Sequence, residues 1–498
     1  MSKNIGPVRI APPKAATWLG TLPFILIIAA WWLLPRLVQY PSYMLPPISA
    51  VVDFAWESIR DGTLVKNVMS GVQAYTLLSS DDTLKGSPKF VFGGSADGAG
   101  LWRNPDQTYT LVVNNEDNFA VSRITLDKHF RPQAGEYLIN SDNGTSRLCS
   151  ATLATPEVQG FGPLFITAGE SNVESMIRAA DPLGPANTSR PLTAFGRWSA
   201  EQALPLPATA YPGKTVVVIG DDDSGPSGGQ LALYVGSSVG DLDNGNLFVM
   251  ARANDDIRET NMTVGNVYPV VFKQIENQKS LTGAQINTRS GELNAVVFGR
   301  VEDVDYRRGG AGREVYFAVT GQNTTGVNAD GSRTMHGRIY KLTLDPTDPT
   351  KGSLEVVLDG DDRSGPARTF EDPDNIVATT NYLYFMEDPN GYGDETHDSY
   401  LYQYNLGTKE LKVVYELDHR RDKPDAAKYN VGGLSKLGDW ESSGMIDISE
   451  QTGEPGTFLI GVQAHTWTGD QYKNPDGGTL RANENQASQL LVLRGLPR

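Results

Sequence analysis

The sequence predicts an all-β protein, a β-propeller of about six blades preceded by one N-terminal transmembrane helix. Two observations predict the propeller. Glycine and proline are plentiful, at 52 and 30 among 498 residues, and Gly, Asn and Asp recur at short intervals, which is typical of short strands joined by tight turns. In addition, an apolar strand that runs into an acidic or amide-rich loop recurs six times. A long apolar run near the N-terminus predicts the helix.

The repeated unit begins at about residue 71 and shows clear period-two alternation in YLYQYN and GRIYKLTL. Six irregularly spaced units favour one closed propeller over residues 71–498, with the first and last strands in a shared blade. A β-sandwich or two stacked β domains is the alternative. The polar segment 253–294 is expected to form an irregular insertion over one face. The units are TLVVNNEDNFAVSRITLD, PLFITAGESN, TVVVIGDDDSGPSGGQLALYVG, EVYFAVTGQNTTGVNADGSRTMHGRIYKLTLD, YLYFMEDPNGYGDETHDSYLYQYN, and FLIGVQAHTWTGD with SQLLVLRG.

Residues 18–38 are apolar until Arg36 and long enough to span a bilayer as a helix. Three basic residues precede the run, so the N-terminus is expected in the cytoplasm and the remainder outside. We find no small-residue cleavage site close behind it, which favours an uncleaved anchor over a removed signal peptide. A buried core helix is the alternative. The sequence thus predicts an anchor over residues 1–70 and a propeller over residues 71–498. The predicted location is the cytoplasmic membrane, with a single pass and the propeller on the periplasmic or extracellular side.

The chain is acidic, with a formal net charge of −16 and a pI of about 4.9. Such a chain repels nucleic acid, which is not an expected partner. Its carboxylates suit hard cations such as calcium, although solubility alone explains the charge equally well. The single cysteine, Cys149, excludes an internal disulfide and a multi-cysteine zinc site. Its thiol is either core filling or a metal ligand or nucleophile.

Acidic residues follow the apolar strand in most of the six units. If each of these strands is the innermost strand of its blade, the acidic side chains converge on one mouth of the central channel. For any one of them, the alternative is a turn-forming side chain that bonds its own backbone. The residues expected around this mouth are Glu116, Glu170, Asp221, Glu302, Asp372 and Glu387.

Two parts of the chain resemble known families. In residues 1 to about 70, the run LPPISAVVDFAWESIRDGTLVKNVMSGV (45–72) resembles the start of an ABC-transporter permease of the taurine or nitrate import type. No second apolar run of spanning length follows in the sequence, so transport is not inferred and the segment is interpreted as a fused or borrowed anchor.

From about residue 72 onward, the chain resembles the PhoX family of secreted bacterial alkaline phosphatases. Seven segments follow the family's order. Ala168 stands where the family has a second cysteine, and Val301 stands where it has a proline before its glutamate. The segments are VNNEDN (113–118), LCSATLATPEVQGFGPLFITAGES (148–171), IGDDD (219–223), LDNGNLFVMAR (242–252), VVFGRVEDV (296–304), FEDPDNIV (370–377) and FLIGVQAHTW (458–467).

The resemblance implies a six-bladed propeller whose site holds iron and calcium, bridged by carboxylates, with a cysteine on iron. It implies hydrolysis of phosphate monoesters, a small phosphorylated molecule as substrate, and Arg300 and Glu302 as catalytic residues. An arginine can hold two phosphate oxygens in a fork. Gln463 and His465 lie two residues apart on one strand and therefore face the same side. His465 is a candidate for a metal or leaving-group role, and a core or surface role is the alternative. The implied metal ligands are Glu116, Cys149, Glu170, Asp221, Asp222, Glu302, Asp372, Asp374 and Glu387.

Two other functions remain open from the sequence. One is a non-catalytic, calcium-stabilised propeller that binds a ligand or partner at the cell surface. The other is a different propeller hydrolase, such as a lactonase, that uses calcium without iron. A serine hydrolase is disfavoured because the sequence contains no Gly-x-Ser-x-Gly. The chain is expected to be a monomer.

Overall fold

Short β-strands joined by turns make up most of the chain that the structure describes, as the spacing of glycine and asparagine predicts. The computed structural model describes residues 71–389 and 391–498. The first strand is β1 (Gln73–Ser79), which pairs only with the far end of the chain. The all-β, propeller-like arrangement that the sequence predicts is confirmed.

Two four-stranded antiparallel sheets follow β1. In each, the strands lie side by side in chain order, joined by turns. The first contains β2 (Ala96–Arg103), β3 (Tyr109–Asn115), β4 (Ala120–Leu126) and β5 (Pro132–Ile139); the second contains β6 (Leu148–Ala154), β7 (Leu164–Gly169), β8 (Arg178–Ala180) and β9 (Arg190–Pro191).

A nine-stranded sheet occupies the middle of the chain. It consists of two runs of four strands joined through β14, which pairs with the outer strand of each run. The strands of the sheet in chain order are β10 (Ala200–Pro205), β11 (Thr215–Asp221), β12 (Leu231–Gly236), β13 (Asn246–Arg252), β14 (Val267–Ile275), β15 (Val301–Tyr306), β16 (Glu314–Val319), β17 (Arg338–Leu344) and β18 (Lys351–Asp359).

Two further four-stranded sheets complete the domain. In the last, β1 lies beside β25, with Thr76 opposite Leu491, so the first and last strands share a sheet as predicted. The strands are β19 (Pro373–Ala378), β20 (Tyr382–Glu387), β21 (Tyr400–Asn405) and β22 (Leu411–Glu416), then β23 (Glu441–Asp447), β24 (Thr457–Thr468) and β25 (Gln486–Arg494).

The first strands of the six four-strand runs form a closed ring. β2 contacts β6, β6 contacts β10, β10 contacts β15, β15 contacts β19, β19 contacts β23, and β23 contacts β2. These six strands, here called the inner strands, therefore surround a central axis, and the remaining strands of each run lie outside them. Each inner strand has a register shift close to its start. Such β-bulges re-aim side chains and are frequent beside active sites.

The apolar core lies between neighbouring sheets. In β3, Leu111 and Val113 pack with Leu459 of the closing sheet, whereas Val112 packs with Phe165 of the following sheet. Successive residues of a strand face opposite sides. A sheet that is covered on both faces therefore needs apolar residues at consecutive positions, which is why this strand reads as a continuous apolar run.

Helices are short in the described residues. The longest, α2, begins with a capping box in which the Thr282 side chain accepts from the backbone of Gln285 and the Gln285 side chain accepts from the backbone of Thr282. The expectation that residues 253–294 are irregular is wrong, because they contain both β14 and α2. The helices are α1 (Ser141–Gly144), α2 (Gly283–Glu292), α3 (Ala426–Tyr429) and α4 (Ser449–Thr452); 3₁₀ turns cover Glu116–Asn118, Thr193–Phe195, Glu259–Asn261, Gln278–Ser280, Gly326–Asn328 and Asp470–Tyr472.

The predicted single-pass location in the cytoplasmic membrane requires correction. Within residues 71–389 and 391–498, no helix is both long enough and apolar enough to cross a bilayer. The run at residues 18–38 on which the prediction depended lies outside the described residues.

Candidate metal centre

Side chains of types that can bind cations stand at the beginning of the inner strands. In five of them, an acid or the cysteine directly follows the first residue of the strand, and the sixth strand begins with an acid. Three of these strands, β2, β15 and β19, are entered through a residue with positive φ, namely Ser95, Arg300 and Asp372. This left-handed turn is costly for a non-glycine residue and is typical of functional sites. The residues at the strand starts are Asp97, Cys149, Glu201, Glu302, Asp374 and Glu441.

Three groups of these and neighbouring side chains are close enough to share a cation. In each group, the potential ligand atoms lie within 4.8 Å of one another. Two groups share the Cys149 thiol, and the third consists of carboxylates alone. Within the part of the chain that the structure describes, the groups are Asp97, Cys149 and Glu201; Glu116, Cys149 and Glu170; and Asp374, Asp388 and Glu441.

Cys149 is the centre of the first two groups. Its Sγ donates a hydrogen bond of 2.9 Å to Oε2 of Glu170, and its side chain is buried. Burial raises the pKa of the thiol well above its usual range, and the nearby carboxylates of Glu170, Glu201 and Glu116 raise it further. A cation bound beside the sulfur would act in the opposite direction and favour the thiolate.

The carboxylates at the mouth repel one another. Burial raises the pKa of Glu201 well above its usual value, and the charges of Asp97 and Asp374 raise it further. The pKa of Glu441 is raised in the same way, by burial first and then by Asp388 and Glu116. The cluster therefore favours the binding of protons or cations, either of which relieves the repulsion.

One arginine already compensates part of this charge. Nη1 of Arg147 lies 3.3 Å from Glu116 Oε1 and 3.9 Å from Glu170 Oε2. Burial raises the pKa of Glu116, although Arg147 opposes that shift. Gln463, a residue that the sequence resemblance places in the site, donates a hydrogen bond of 2.8 Å to Glu116 Oε2.

Asp97 offers a test of whether a cation fits. Its side chain is 4% exposed, and its Oδ1 has no hydrogen-bond partner among the described residues. Leaving a buried carboxylate oxygen unpaired is costly. Because Asp97 belongs to a group with Cys149 and Glu201, a cation in the group would pair with this carboxylate. The donor set, carboxylates with one thiol, is chemically suited to such an ion.

A second charged unit contains Arg300, Asp222 and Glu302. The guanidinium contacts Asp222 in a bidentate arrangement, with Nε 2.6 Å from Oδ1 and Nη2 3.0 Å from Oδ2. Nη2 also lies 3.2 Å from Glu302 Oε1. Burial alone would lower the pKa of Arg300, but Asp222 and Glu302 raise it well above its usual value. This unit lies near the group of Glu116, Cys149 and Glu170, since Asp222 is among the residues that raise the pKa of Glu170.

A polar layer lies directly below the mouth. Nδ2 of Asn375, on β19, donates to Ser150 Oγ at 3.2 Å, and Ser443 Oγ donates to Asn375 Oδ1 at 2.8 Å. Ser150 lies on β6, the inner strand opposite β19 in the ring, so this bond crosses the channel. Further along, a cavity of about 380 Å³ is lined by residues such as Leu101 and Ile376 and by none of the mouth clusters. The cavity and the three groups therefore share no residue.

The structure brings together several residues that the sequence suggested. Glu116, Cys149 and Glu170 form one group, Asp374 belongs to another, and Arg300 contacts both Asp222 and Glu302. His465, on β24, has its Nε2 3.5 Å from Glu441 Oε1.

Five suggested ligands are outside the three groups, namely Asp222 and Glu302, which contact Arg300, and Asp221, Asp372 and Glu387. Asp221 is buried at the end of β11, opposite Ala200. Asp372 is the positive-φ residue that precedes β19, and its carbonyl accepts from Asp388 N at 3.0 Å. Glu387 is fully buried and accepts from the backbones of Glu371 and Tyr400 and from the Tyr402 hydroxyl.

Four cluster residues were missed from the sequence, and three of them lie on inner strands. The strands with an acidic end, such as β3 and β7, were expected to be innermost, but they are the second strands of their runs. The inner strands begin with segments such as ADGAG and AEQAL, which lack clear alternation because of the bulges. A small apolar residue followed by an acid, just after a turn, was the available signal. The missed residues are Asp97, Glu201, Asp388 and Glu441.

The fold and the acidic mouth define a propeller-like protein with a candidate cation site. Its chain is similar to a solved structure of PhoX from Pseudomonas fluorescens, in complex with vanadate, a transition state analogue. The TM-score is 0.57 and the identity 14%, with 86% of this chain and 96% of that chain covered. At this identity, the likeness shows the fold.

More distant similarities involve sugar-processing propellers. An α-L-arabinanase from Penicillium chrysogenum has a TM-score of 0.40 and 10% identity, with 85% of this chain and 99% of that chain covered. A GH93 α-L-arabinofuranosidase from Fusarium graminearum has a TM-score of 0.38 and 10% identity, with 84% and 98% covered. Likeness at this level carries no implication for this chain's function.

No protein-family model and no curated protein sequence matches the chain. The resemblance of residues 1–70 to an ABC-transporter permease is therefore unsupported, and those residues lie outside the described part of the chain.

Proposed function

We propose that this protein is a metal-dependent phosphomonoester hydrolase of the PhoX type, with calcium and iron as its metals. The observation that carries the proposal is the cluster around Cys149, where a thiol and buried carboxylates converge beside the Arg300 unit. The similarity to a PhoX structure that contains vanadate supports it, because that fold accommodates a phosphate-like ion at its site.

The donor sets favour different metals. Cys149 with Glu116 and Glu170 combines a soft sulfur with carboxylates, which is compatible with iron. Asp374, Asp388 and Glu441 offer only oxygen, which calcium prefers. Bound metals would neutralise the phosphate charge and supply a nucleophile near neutral pH. The clusters are thus suited to the chemistry that hydrolysis of a phosphate dianion requires.

Arg300 is the residue best placed to bind the phosphoryl group. Its planar guanidinium presents donors to phosphate oxygens in a fixed geometry, which a lysine ammonium does not offer. Asp222 and Glu302 fix its orientation before substrate arrives, and this preorganisation lowers the entropic cost of binding. Burial would lower the pKa of the guanidinium, but Asp222 and Glu302 raise it well above its usual value, so Arg300 stays protonated.

Under the same proposal, we interpret the described domain as six blades. The closed ring of six inner strands supports this interpretation, as does the meandering order of each four-strand run. On this view, β14 pairs with the outer strands of two neighbouring blades and joins them into one nine-stranded sheet. A six-bladed ring would place one strand start per blade at the mouth.

The test combines metal analysis with an activity assay on the full-length chain. We expect purified protein to contain iron and calcium and to hydrolyse p-nitrophenyl phosphate, with activity lost in a chelator and inhibited by vanadate. Arg300→Lys should reduce kcat/KM by on the order of 100-fold, because the fork is lost. Glu410→Gln, a charge change at an exposed side chain, is the control and should leave activity unchanged.

Other outcomes would point to a different function. Calcium without iron, together with no hydrolysis of any phosphomonoester, would favour the non-catalytic, calcium-stabilised propeller. Hydrolysis that persists in chelator and in Arg300→Lys would contradict the proposed site.

A further inference from the structure

Arg300 has an unusual backbone. Its φ is +73°, in the left-handed region, where a side chain with a Cβ is strained. Such a conformation costs about 1–3 kcal/mol and persists only where the surroundings fix it. Three backbone contacts contribute: Phe298 exchanges two hydrogen bonds with Gly229, Gly299 O accepts from Gly321 N, and Arg300 O accepts from Thr320 N.

A buried side chain supplies a further contact to this segment. Glu259 is 0% exposed, and its Oε2 accepts hydrogen bonds from the backbone N–H of Gly299, at 2.9 Å, and of Thr334, at 3.1 Å. Its Oε1 accepts from the Tyr340 hydroxyl at 2.9 Å. Both carboxylate oxygens of Glu259 are therefore engaged, and one of them holds the residue directly before Arg300.

Glu259 is itself held rigidly. Arg338 donates to its backbone carbonyl at 3.2 Å and forms a bidentate pair with Asp359 at the end of β18. Arg258, the preceding residue, pairs with Asp330 at 2.9 Å. The carboxylate is thus connected on one side to β17 and β18 and on the other to the turn that carries Arg300.

The space around Gly299 shows how close this fit is. A Cβ at Gly299 would lie 3.2 Å from the Arg333 Cβ and 3.4 Å from Glu259 Oε2. The Arg333 distance is shorter than most Cβ contacts, so the turn is closely packed on that side, and Glu259 lies at contact distance from it. If the carboxylate were removed, the Gly299 N–H would be left buried without a partner, and the turn would gain room to relax.

From this geometry, we infer that Glu259 is a positioning residue that fixes the strained turn at Gly299–Arg300 and thereby aims the Arg300 guanidinium at the mouth. The inference rests on the proposed function, because it assigns Arg300 to the binding of a phosphoryl group. Glu259 contacts neither the metal clusters nor the proposed substrate position, and it lies forty-one residues before Arg300 in the sequence, so no local motif marks it.

The experiment compares Glu259→Ala, Glu259→Gln and Tyr340→Phe. Glu259→Gln retains one oxygen acceptor for Gly299 and Thr334, and its amide can donate to the Tyr340 oxygen, so it should behave nearly as the parent protein. Tyr340→Phe removes the third hydrogen bond of Glu259 but leaves the contact to Gly299, and it is the matched control. Both Glu259→Ala and Tyr340→Phe are expected to lower the melting temperature.

Two measurements separate positioning from general stability. Glu259→Ala should weaken the binding of inorganic phosphate, measured calorimetrically, by about tenfold. In the double variant Glu259→Ala with Arg300→Lys, the two losses of phosphate affinity should not add. Both substitutions remove the same contribution, that of a correctly oriented guanidinium. Tyr340→Phe should leave phosphate binding unchanged. Additive losses, or equal effects of Glu259→Ala and Tyr340→Phe, would overturn the inference.

Amide hydrogen exchange tests the positioning role of Glu259 independently of the proposed function. Glu259→Ala should increase exchange at Gly299, Arg300 and Val301, whereas Tyr340→Phe should not. If the parent protein neither binds nor hydrolyses phosphate, the proposed function fails, and this exchange pattern still decides whether Glu259 fixes the turn. Unchanged exchange in Glu259→Ala would contradict the positioning role.

Discussion

Two buried carboxylates, Asp97 and Glu387, differ in what surrounds them. Burial raises the pKa of both well above the ordinary value. Around Glu387, two backbone N–H groups and a tyrosine hydroxyl donate to the carboxylate. Around Asp97, Oδ1 has no hydrogen-bond partner among the described residues, and the charge of Glu116 adds repulsion.

The difference shows that burial of an acid does not by itself identify a cation site. Glu387 fastens the loop before β21 to β20 and has its hydrogen-bonding capacity filled by protein donors. Asp97 faces other acids, and one of its carboxylate oxygens has no protein donor, so a cation is a suitable partner. The number of protein hydrogen-bond donors to the carboxylate, rather than its burial or its position at a strand end, distinguishes a structural carboxylate from a candidate metal ligand.

The largest effect is expected from substituting Glu387, the carboxylate of the two that has a structural role. Glu387→Ala should lower the free energy of unfolding by about 4 kcal/mol, because it leaves buried donors unpaired and opens a cavity. By contrast, Asp97→Asn should raise the stability of chelator-treated protein by about 1 kcal/mol, because it removes a repelling charge. Denaturant unfolding in chelator measures both. Destabilisation by Asp97→Asn to the same extent would erase the distinction between the two sites.

The next effect concerns the thiol between two cation groups. Cys149→Ser should lose bound iron and lower phosphatase activity by on the order of 100-fold, because serine is a poor iron ligand at neutral pH. Its unfolding free energy should change by only about 1 kcal/mol, because serine is nearly the size of cysteine. Metal analysis and kinetics check these values. If Cys149→Ser and Cys149→Ala both retain iron and activity, the thiol has only a packing role.

The smallest effect is a dependence of stability on pH. The pKa values of Glu170, Glu201 and Glu441 are raised in the folded state, and burial raises that of Asp303 to about 7. Folded protein then binds more protons than unfolded protein between about pH 4, where free carboxylates titrate, and the raised values. The stability of cation-free protein should therefore fall as the pH rises from about 5 to 8.

Thermal melts across this pH range, with EDTA or with added calcium, test that expectation. A cation that pairs with the ionised carboxylates should reverse the trend, since it binds the deprotonated form. If cation-free protein becomes more stable as the pH rises, the mutual repulsion inferred at the mouth is absent.

The sequence was sufficient to predict the class of fold. Strands such as YLYFME and TVVVIGD are continuous apolar runs that end in an acid, and they occur as β20 and β11. The pairing of β1 with β25 also agrees with the prediction, since both ends of the domain are apolar strands. These features depend on local patterns that a sheet covered on both faces requires.

The site was only partly predictable for a geometrical reason. The apolar pattern does not distinguish the first from the second strand of a run, so the acidic ends of β3 and β7 were placed in the inner ring. The actual inner strands contain bulges, which interrupt the alternation that identifies a strand in sequence. Asp97 and Glu201 stand at those interruptions. Glu259 could not be recognised, because its partner Gly299 is brought near only by the fold.

The closure of the domain by β1 and β25 has a consequence for how the protein is made. During synthesis β1 emerges first among the described strands, but its partner β25 is the last of them to be made. A growing chain therefore carries unpaired strand edges on β1 and β24 until β25 has emerged. Exposed edges are templates for wrong pairing with other chains. The closing sheet, whose inner strand β23 carries Glu441 of the mouth, can be completed only after β25 has left the ribosome.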